Sequence, residues 1–259
     1  MHKSKIVKLI PLRKSINIID KEITRLLKKR SFIIPKVRKI KESWNYKIAV
    51  KREIEIANKI AKSDFGLYNK LFLQKIWREL ISATLFIECE LRILIYKNSK
   101  NYFDLWEITK DHFSGSINLE INEDINYIFN ELINQKTECI VLPNFKDSDT
   151  KWWEFLLQEK YQHIKINMQL PFILGFKTLG NSKGFILSLN DKEIFSDNLL
   201  YIIEKPVENI KENILDETES HILIQSNLSI FELVEKLQIN ENKIKFIGSY
   251  ANPITGTGE

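Results

Sequence analysis

LRKSINIIDKEITRLLKKRSFIIPKVRKIK, residues 12–41, decides how the first part of this chain is read. Its apolar residues recur as Leu12, Ile16, Ile19, Ile23, Leu26/Leu27, Ile33/Ile34, Val37 and Ile40. Gaps of three and four place them on one face of a long amphipathic helix. Arg30 falls on that stripe and Lys41 close to it. A cation aimed at a buried face is costly unless something anionic meets it, so Arg30 is a candidate ligand for a small acid. Arg30 and Lys41 are eleven residues apart, a rise of roughly 16 Å on one face, which two long side chains can close around one small anion. Arg13 lies roughly 25 Å from Arg30 along the axis. It can reach such an anion only in the site of an antiparallel partner, which predicts an intertwined dimer.

Working outward, the 259 residues suffice for one large or two small domains. Residues 1–100 carry 25 Lys and Arg against 9 Asp and Glu, net +16, and the remainder is net −11. Such asymmetry points to two units with different partners, although many lysines of a Lys-, Ile- and Asn-rich chain are merely solvated. Cys89 and Cys139 form neither a metal spacing nor a disulfide framework, which fits a reduced, cytoplasmic setting. His2, His112, His163 and His221 show no ligand spacing, so neither a metal nor a cofactor is expected. The start MHKSKIVKLI does not read as a secretory signal, and no stretch reads as a membrane span.

Only Gly66 precedes Gly115, which agrees with a helical first part. The patterns predict helices over 10–42, 50–62 and 68–90, with a loop at 44–49 and a turn at 63–66. Pro35 should kink the first of them. Beyond residue 91, strands are expected at Arg92–Tyr96, Ile117–Ile121, Glu138–Pro143, Lys183–Leu189, Asn198–Ile203, His221–Gln225 and Lys243–Tyr250. Helices are expected near Phe103–Phe113, Asp124–Gln135, Val207–Leu215 and Ile230–Leu237. This alternation predicts an α/β layer with a mainly parallel sheet. The Trp152–Trp153 pair reads as the packing face of a helix rather than a binding platform.

Taken in order, Arg13, the IID ending at Asp20, the LLKKR ending at Arg30, Val37, Lys41 and the KRE of Lys51–Glu53 resemble the all-helical chorismate mutase family. IWRELISATLFIE, Ile76–Glu88, resembles that family's third helix. The resemblance covers about residues 8–90. It implies a three-helix mutase fold forming an intertwined homodimer, and the rearrangement of chorismate to prephenate in aromatic amino acid biosynthesis. That reaction is intramolecular. An enzyme need only hold the compact conformer and stabilise charge on the breaking ether oxygen.

The resemblance also implies roles. Arg30 and the partner subunit's Arg13 would clamp the carboxylates, to which a guanidinium is suited by bidentate pairing. Lys41 would sit near the ether oxygen. Arg52 would support the anion network, and Glu53 would accept from the ring hydroxyl. Thr84 and Glu88, spaced i, i+4, share a helix face; Thr84 would touch a carboxylate and Glu88 would face the ether oxygen opposite Lys41. A helical Thr also commonly bonds back to its own turn. A carboxylate donates a hydrogen bond only when protonated, so activity is expected to rise as pH falls below neutral.

The second part resembles the prephenate dehydratase catalytic domain, with its periplasmic-binding-protein-like fold. ECIVLP stands where that family has a valine-rich strand ending in Pro, and NSKGF, residues 181–185, where it has an Asn-x-Thr-Arg-Phe signature. Lys183 and Gly184 replace the Thr and Arg that carry the dehydratase chemistry. Asn144, Phe145 and Lys146 replace the Ile-Glu-Asn after the strand, and Asn98, Ser99 and Lys100 stand in place of glycines. The expectation is a mutase domain over 1–90 and a dehydratase-like domain over 91–259 that has lost dehydratase activity. An aromatic amino acid effector on that second domain is a further expectation. One alternative is a bifunctional mutase–dehydratase. An alternative from another class is a basic helical protein that binds nucleic acid through phosphates. Against it, the key cations sit on or beside the apolar face, where an extended phosphate backbone does not reach. Neither nucleic acid nor a membrane is the expected partner.

Overall fold

The computed structural model describes residues 2–41, 48–89, 91–97, 102–115, 117–175, 182–189, 194–195, 197–208 and 210–255. The expected loop before Ile48, the Asn98–Lys100 stretch and Asn181 lie outside these residues.

Four helices come first: α1 (His2–Ser31), α2 (Ile34–Lys41), α3 (Val50–Lys62) and α4 (Lys70–Glu88). The single helix expected over 10–42 is therefore two, and Pro35 is the physical reason. Proline has no N–H to donate, and its ring clashes with the carbonyl four residues back, here Ser31, the last residue of α1. Pro35 instead occupies the first turn of α2, where no intrahelical donor is required. The joint is held by Ile33 N donating to Arg30 O at 3.0 Å and Lys36 N donating to Ile33 O at 3.0 Å. α3 buries Ile54, Ala57, Ile60 and Ala61, a stripe of helical period. Asn69 caps α4 by accepting from Leu71 N at 2.8 Å.

The remaining elements are β1 (Arg92–Tyr96), α5 (Tyr102–Phe113), β2 (Asn118–Asn122), α6 (Ile125–Ile133), β3 (Cys139–Pro143), β4 (Lys165–Leu170), β5 (Ile173–Leu174), β6 (Gly184–Ser188), β7 (Asn198–Glu204), β8 (Asn213–Glu217), β9 (His221–Ser226), α7 (Ile230–Leu237), β10 (Ile244–Tyr250) and β11 (Ile254–Thr255). Nine strands form one sheet in the order β2-β1-β3-β6-β4-β10-β7-β9-β8, with β5 and β11 paired separately. The expectation of a mainly parallel sheet needs correction. β1 runs parallel to β2 and β3, and β4 meets β10 in parallel, but the other neighbours are antiparallel. Helical crossovers follow β1 and β2 but not β7 or β8, and hairpin-like connections make antiparallel neighbours. The β4–β10 contact is made at Gly248, paired with Ile166. Its φ is +148°, and a Cβ there would lie 2.3 Å from the Ile166 carbonyl oxygen, so only glycine fits.

The helix expected over Val207–Leu215 is also corrected. Asn213–Glu217 forms edge strand β8 on β9, with a register shift between Ile214 and Asp216. Pairing against β9 overrides the weak helical spacing of Val207, Ile210 and Ile214. Trp152 and Trp153 are fully buried, as a packing pair should be, but on a 3₁₀ turn (Trp152–Leu157).

The central strands alternate faces. Leu94, Tyr96, Ile140 and Leu142 pack with α6 and the two tryptophans on one side of the sheet. Ile93, Ile95, Cys139 and Val141 pack on the other with Leu105 and Ile108 of α5. The same second cluster includes Ile54 and Ala57 of α3 and Ile81 and Leu85 of α4. The helices that follow residue 50 thus share a core with the sheet.

Candidate active site

Arg30, one of three cations in the last turn of α1, is half-buried against α4. Its Nη1 donates to Thr84 Oγ1 at 2.5 Å and to the Leu80 carbonyl at 3.3 Å. Thr84 Oγ1 in turn donates to Leu80 O at 2.7 Å, the back-bond that a helical Thr favours. One turn on, Lys41 Nζ of α2 donates to Glu88 Oε2 at 2.9 Å. The Glu88 side chain is 5% exposed and that of Lys41 12%, so this pair is largely removed from water. Burial pushes the Arg30 guanidinium below its usual range, and the Glu88 charge opposes that. Thr84 and Glu88 are about 6 Å apart along α4, so the two cations converge on one short stretch. The break at Phe32–Ile33 sets this arrangement, rather than two side chains leaning along one straight helix.

Four of the residues expected at a mutase site therefore come together: Arg30, Lys41, Thr84 and Glu88. Three do not join them in the single chain. Arg13 is exposed on α1. Arg52 is exposed and pairs within its own helix with Glu55 at 3.0 Å. Glu53 is buried, and its Oε2 accepts from Arg78 Nη1 at 2.7 Å. Arg78 also donates from Nε and Nη2 to the His112 carbonyl, at 3.0 and 2.8 Å. Its Nη2 lies 3.1 Å from His112 Nε2. Burial pushes the Glu53 carboxyl up, but the Arg78 charge and the His112 ring outweigh it and leave it at about 2. Burial, helped by Arg78, pushes the His112 ring down to about 4 against the pull of Glu53. A neutral ring lets Nε2 accept from Arg78.

Sequence reasoning missed Arg78 and His112. A signal was present for Arg78. Gln74, Arg78 and Ser82 recur every four residues beside Ile81 and Leu85, so a cation sits on the buried stripe of α4 just as Arg30 sits on that of α1.

Away from this cluster, a cavity of about 530 Å³ is lined by residues of β4, β6, β7, β8, β9 and β10 and of the segment after β3. Lys146 and Lys183 line it together with Asn144, Gln169, Asn198 and Gln225. Gln225 Nε2 donates to Asn198 Oδ1 at 2.6 Å, and Asn198 Nδ2 donates to Asn252 Oδ1 at 3.0 Å. Among the described residues this lining includes no carboxylate and no imidazole. Its two lysines suit it to an anion. Among the described residues no group of three or more His, Cys, Asp or Glu could hold a metal, and no helix is long and apolar enough to cross a membrane.

Residues 12–88 match the model of the family described as chorismate mutase type II. A bifunctional chorismate mutase/prephenate dehydratase of Aquifex aeolicus (strain VF5) is 32% identical over 137 residues, which is 51% of this chain and 37% of that protein. The match thus spans little more than a third of the relative's length. The X-ray structure of prephenate dehydratase from Streptococcus mutans aligns with 63% of this chain and all of that chain, at 12% identity and a TM-score of 0.39. Residues 12–88, which contain Arg30, Lys41, Thr84 and Glu88, are thus similar to the chorismate mutase type II family.

Proposed function

We propose that the chain converts chorismate to prephenate at the cluster of Arg30, Lys41, Thr84 and Glu88. The observation that carries this reading is the convergence of two cations from α1 and α2 on one face of α4. A dianionic substrate entering there meets the Arg30 guanidinium, fixed from behind by Thr84 Oγ1 and Leu80 O, and binds as a carboxylate to a preorganised fork. The Lys41 ammonium, already shielded from water, faces the place where the ether oxygen gains charge. Its electrostatic effect is larger in that surrounding than in solvent. While ionised, Glu88 accepts from Lys41 and cannot donate to the ether oxygen; protonated, it can.

The site is completed by a second copy. Along α1, Leu12, Ile16, Ile19, Ile23, Leu26 and Leu27 are 41–61% exposed in the single chain. A contiguous apolar stripe of this kind marks a surface that is covered in the assembly. An antiparallel homodimer covers it and brings the partner subunit's Arg13 to the second carboxylate. The chain divides by role into a mutase part over 1–90 and an α/β part over 91–259. The latter is read as having lost dehydratase activity, on the replacement of the resembled family's Thr and Arg by Lys183 and Gly184. A bifunctional enzyme is the second reading, favoured by the Aquifex relative's description.

Purified protein incubated with chorismate, with products identified without acid treatment, tests both. Prephenate that accumulates, and fails to accumulate with Lys41→Ala, supports the mutase reading. Phenylpyruvate formed directly supports the bifunctional one. Chorismate left intact at neutral and mildly acid pH overturns both.

A further inference from the structure

Glu53, Arg78 and His112 lie on three different helices, α3, α4 and α5, and all three side chains are at least nine-tenths buried. Arg78 uses Nη1 for Glu53 and both Nε and Nη2 for the His112 carbonyl. It is thus held by groups from the helix before it and from the first helix of the sheet layer. The surrounding core is continuous: Ile54, Ala57, Ile81 and Leu85 pack in one cluster with Leu105, Ile108 and Phe113. Gln74 Nε2 adds a buried bond to the Ala57 carbonyl at 2.7 Å, fixing the axial register of α4 against α3. Thr84 and Glu88 follow Arg78 on α4 by roughly 9 and 15 Å of helix rise. Whatever holds Arg78 therefore sets where Thr84 and Glu88 stand relative to Arg30 and Lys41.

We propose that Arg78 is a positioning residue for the mutase site, anchored by His112 of the α/β part, and that Glu53 belongs to this clamp rather than to the substrate. The proposal rests on the mutase reading for its kinetic consequence alone. It makes the sheet layer a structural participant in the helical site. It also removes Glu53 from contact with the ring hydroxyl: Oε2 is taken by Arg78, and Oε1, which has no hydrogen-bond partner, is buried in the core.

The chemistry of buried ion pairs gives a test with a sign. Removing one partner strands a buried charge, whereas replacing both with apolar side chains of similar volume is close to neutral. In the full chain, Arg78→Met should lower Tm by about 10 °C and reduce kcat. Glu53→Leu combined with Arg78→Met should recover most of both losses. Glu53→Gln should leave KM for chorismate within about twofold while lowering Tm, since only the neutral partner of Arg78 remains. Hydrogen exchange over residues 105–113 should rise in Arg78→Met and return in the double variant. A KM raised tenfold or more by Glu53→Gln at unchanged Tm would place Glu53 on the substrate and overturn the clamp. So would a double variant no more stable than Arg78→Met. If the unaltered chain leaves chorismate intact, the mutase reading fails by itself, and the Tm and exchange measurements still decide whether the three helices are clamped.

Discussion

Thr84 gives its single hydroxyl proton to the Leu80 carbonyl, so toward Arg30 its oxygen can only accept. That makes it a rest for the guanidinium as much as a contact for substrate. Thr84→Ser keeps the acceptor, and its kcat/KM is expected within about threefold of the parent, whereas Thr84→Val should lose about tenfold, a typical hydrogen bond to a charged group. Steady-state kinetics of the two variants separate the acceptor from the methyl group. Glu88→Gln supplies a donor at every pH. Its rate should be flatter with pH than that of the parent, whose activity should rise below neutrality; an unchanged profile removes Glu88 from the ether oxygen. At this scale the sequence was legible where a charged residue stood on an apolar stripe. Arg30, Lys41, Thr84 and Glu88 were found by spacing and resemblance and do meet. The partners of Glu53 were not legible, because Arg78 and His112 lie 25 and 59 residues away and only the fold brings them to it.

Among the elements, the joint between α1 and α2 carries the site's geometry. Pro35→Ala restores the N–H and removes the clash with Ser31, so the two helices should tend to fuse and draw Lys41 from Glu88. Far-UV circular dichroism should show added helix while kcat falls; added helix with full activity would show that the break is incidental. The α3–α4–α5 joint has its own pH signature. His112 is lowered to about 4 and Glu53 to about 2, so the unfolded chain binds more protons than the folded one as pH drops. Their contribution is fully present above about 6.5, erodes first through His112 and then, below about 4.5, through Glu53. Lys75 and Asp111, 3.8 Å apart and exposed, flank this joint without entering it. Thermal denaturation from pH 7 to pH 4 should therefore show a falling Tm, and His112→Asn should remove the upper part of that fall. The buried strands β1 and β3 were readable as apolar runs, and α7 as an amphipathic turn. β8 was not, because an exposed edge strand has no apolar period of its own and takes its shape from β9.

For the whole molecule, the apolar stripe of α1 is the feature that one chain leaves unfinished. Its residues were read from the sequence as a buried face, and in the single chain only Ile34, beyond the break, is buried. The proposed homodimer would resolve the difference, and it would make apparent stability depend on protein concentration. Raising the concentration tenfold should raise Tm measurably, and sedimentation should give the mass of two chains; a monomer with concentration-independent Tm would leave Arg13 without a site. The two halves of the chain differ in charge as the sequence indicated, yet they are bound through a common core, which charge counting does not see. The central claim is that chorismate is rearranged in a site shared between two chains. It is tested most directly by mixing two variants, Arg13→Ala and Lys41→Ala, each inactive alone, after partial unfolding and refolding together. In a mixed dimer one site carries both lesions and the other none. Recovery of up to about a quarter of the parent's activity, the statistical share when half the dimers are mixed and each has one intact site, is the predicted result. Activity no greater than that of the separate variants would contradict the composite site.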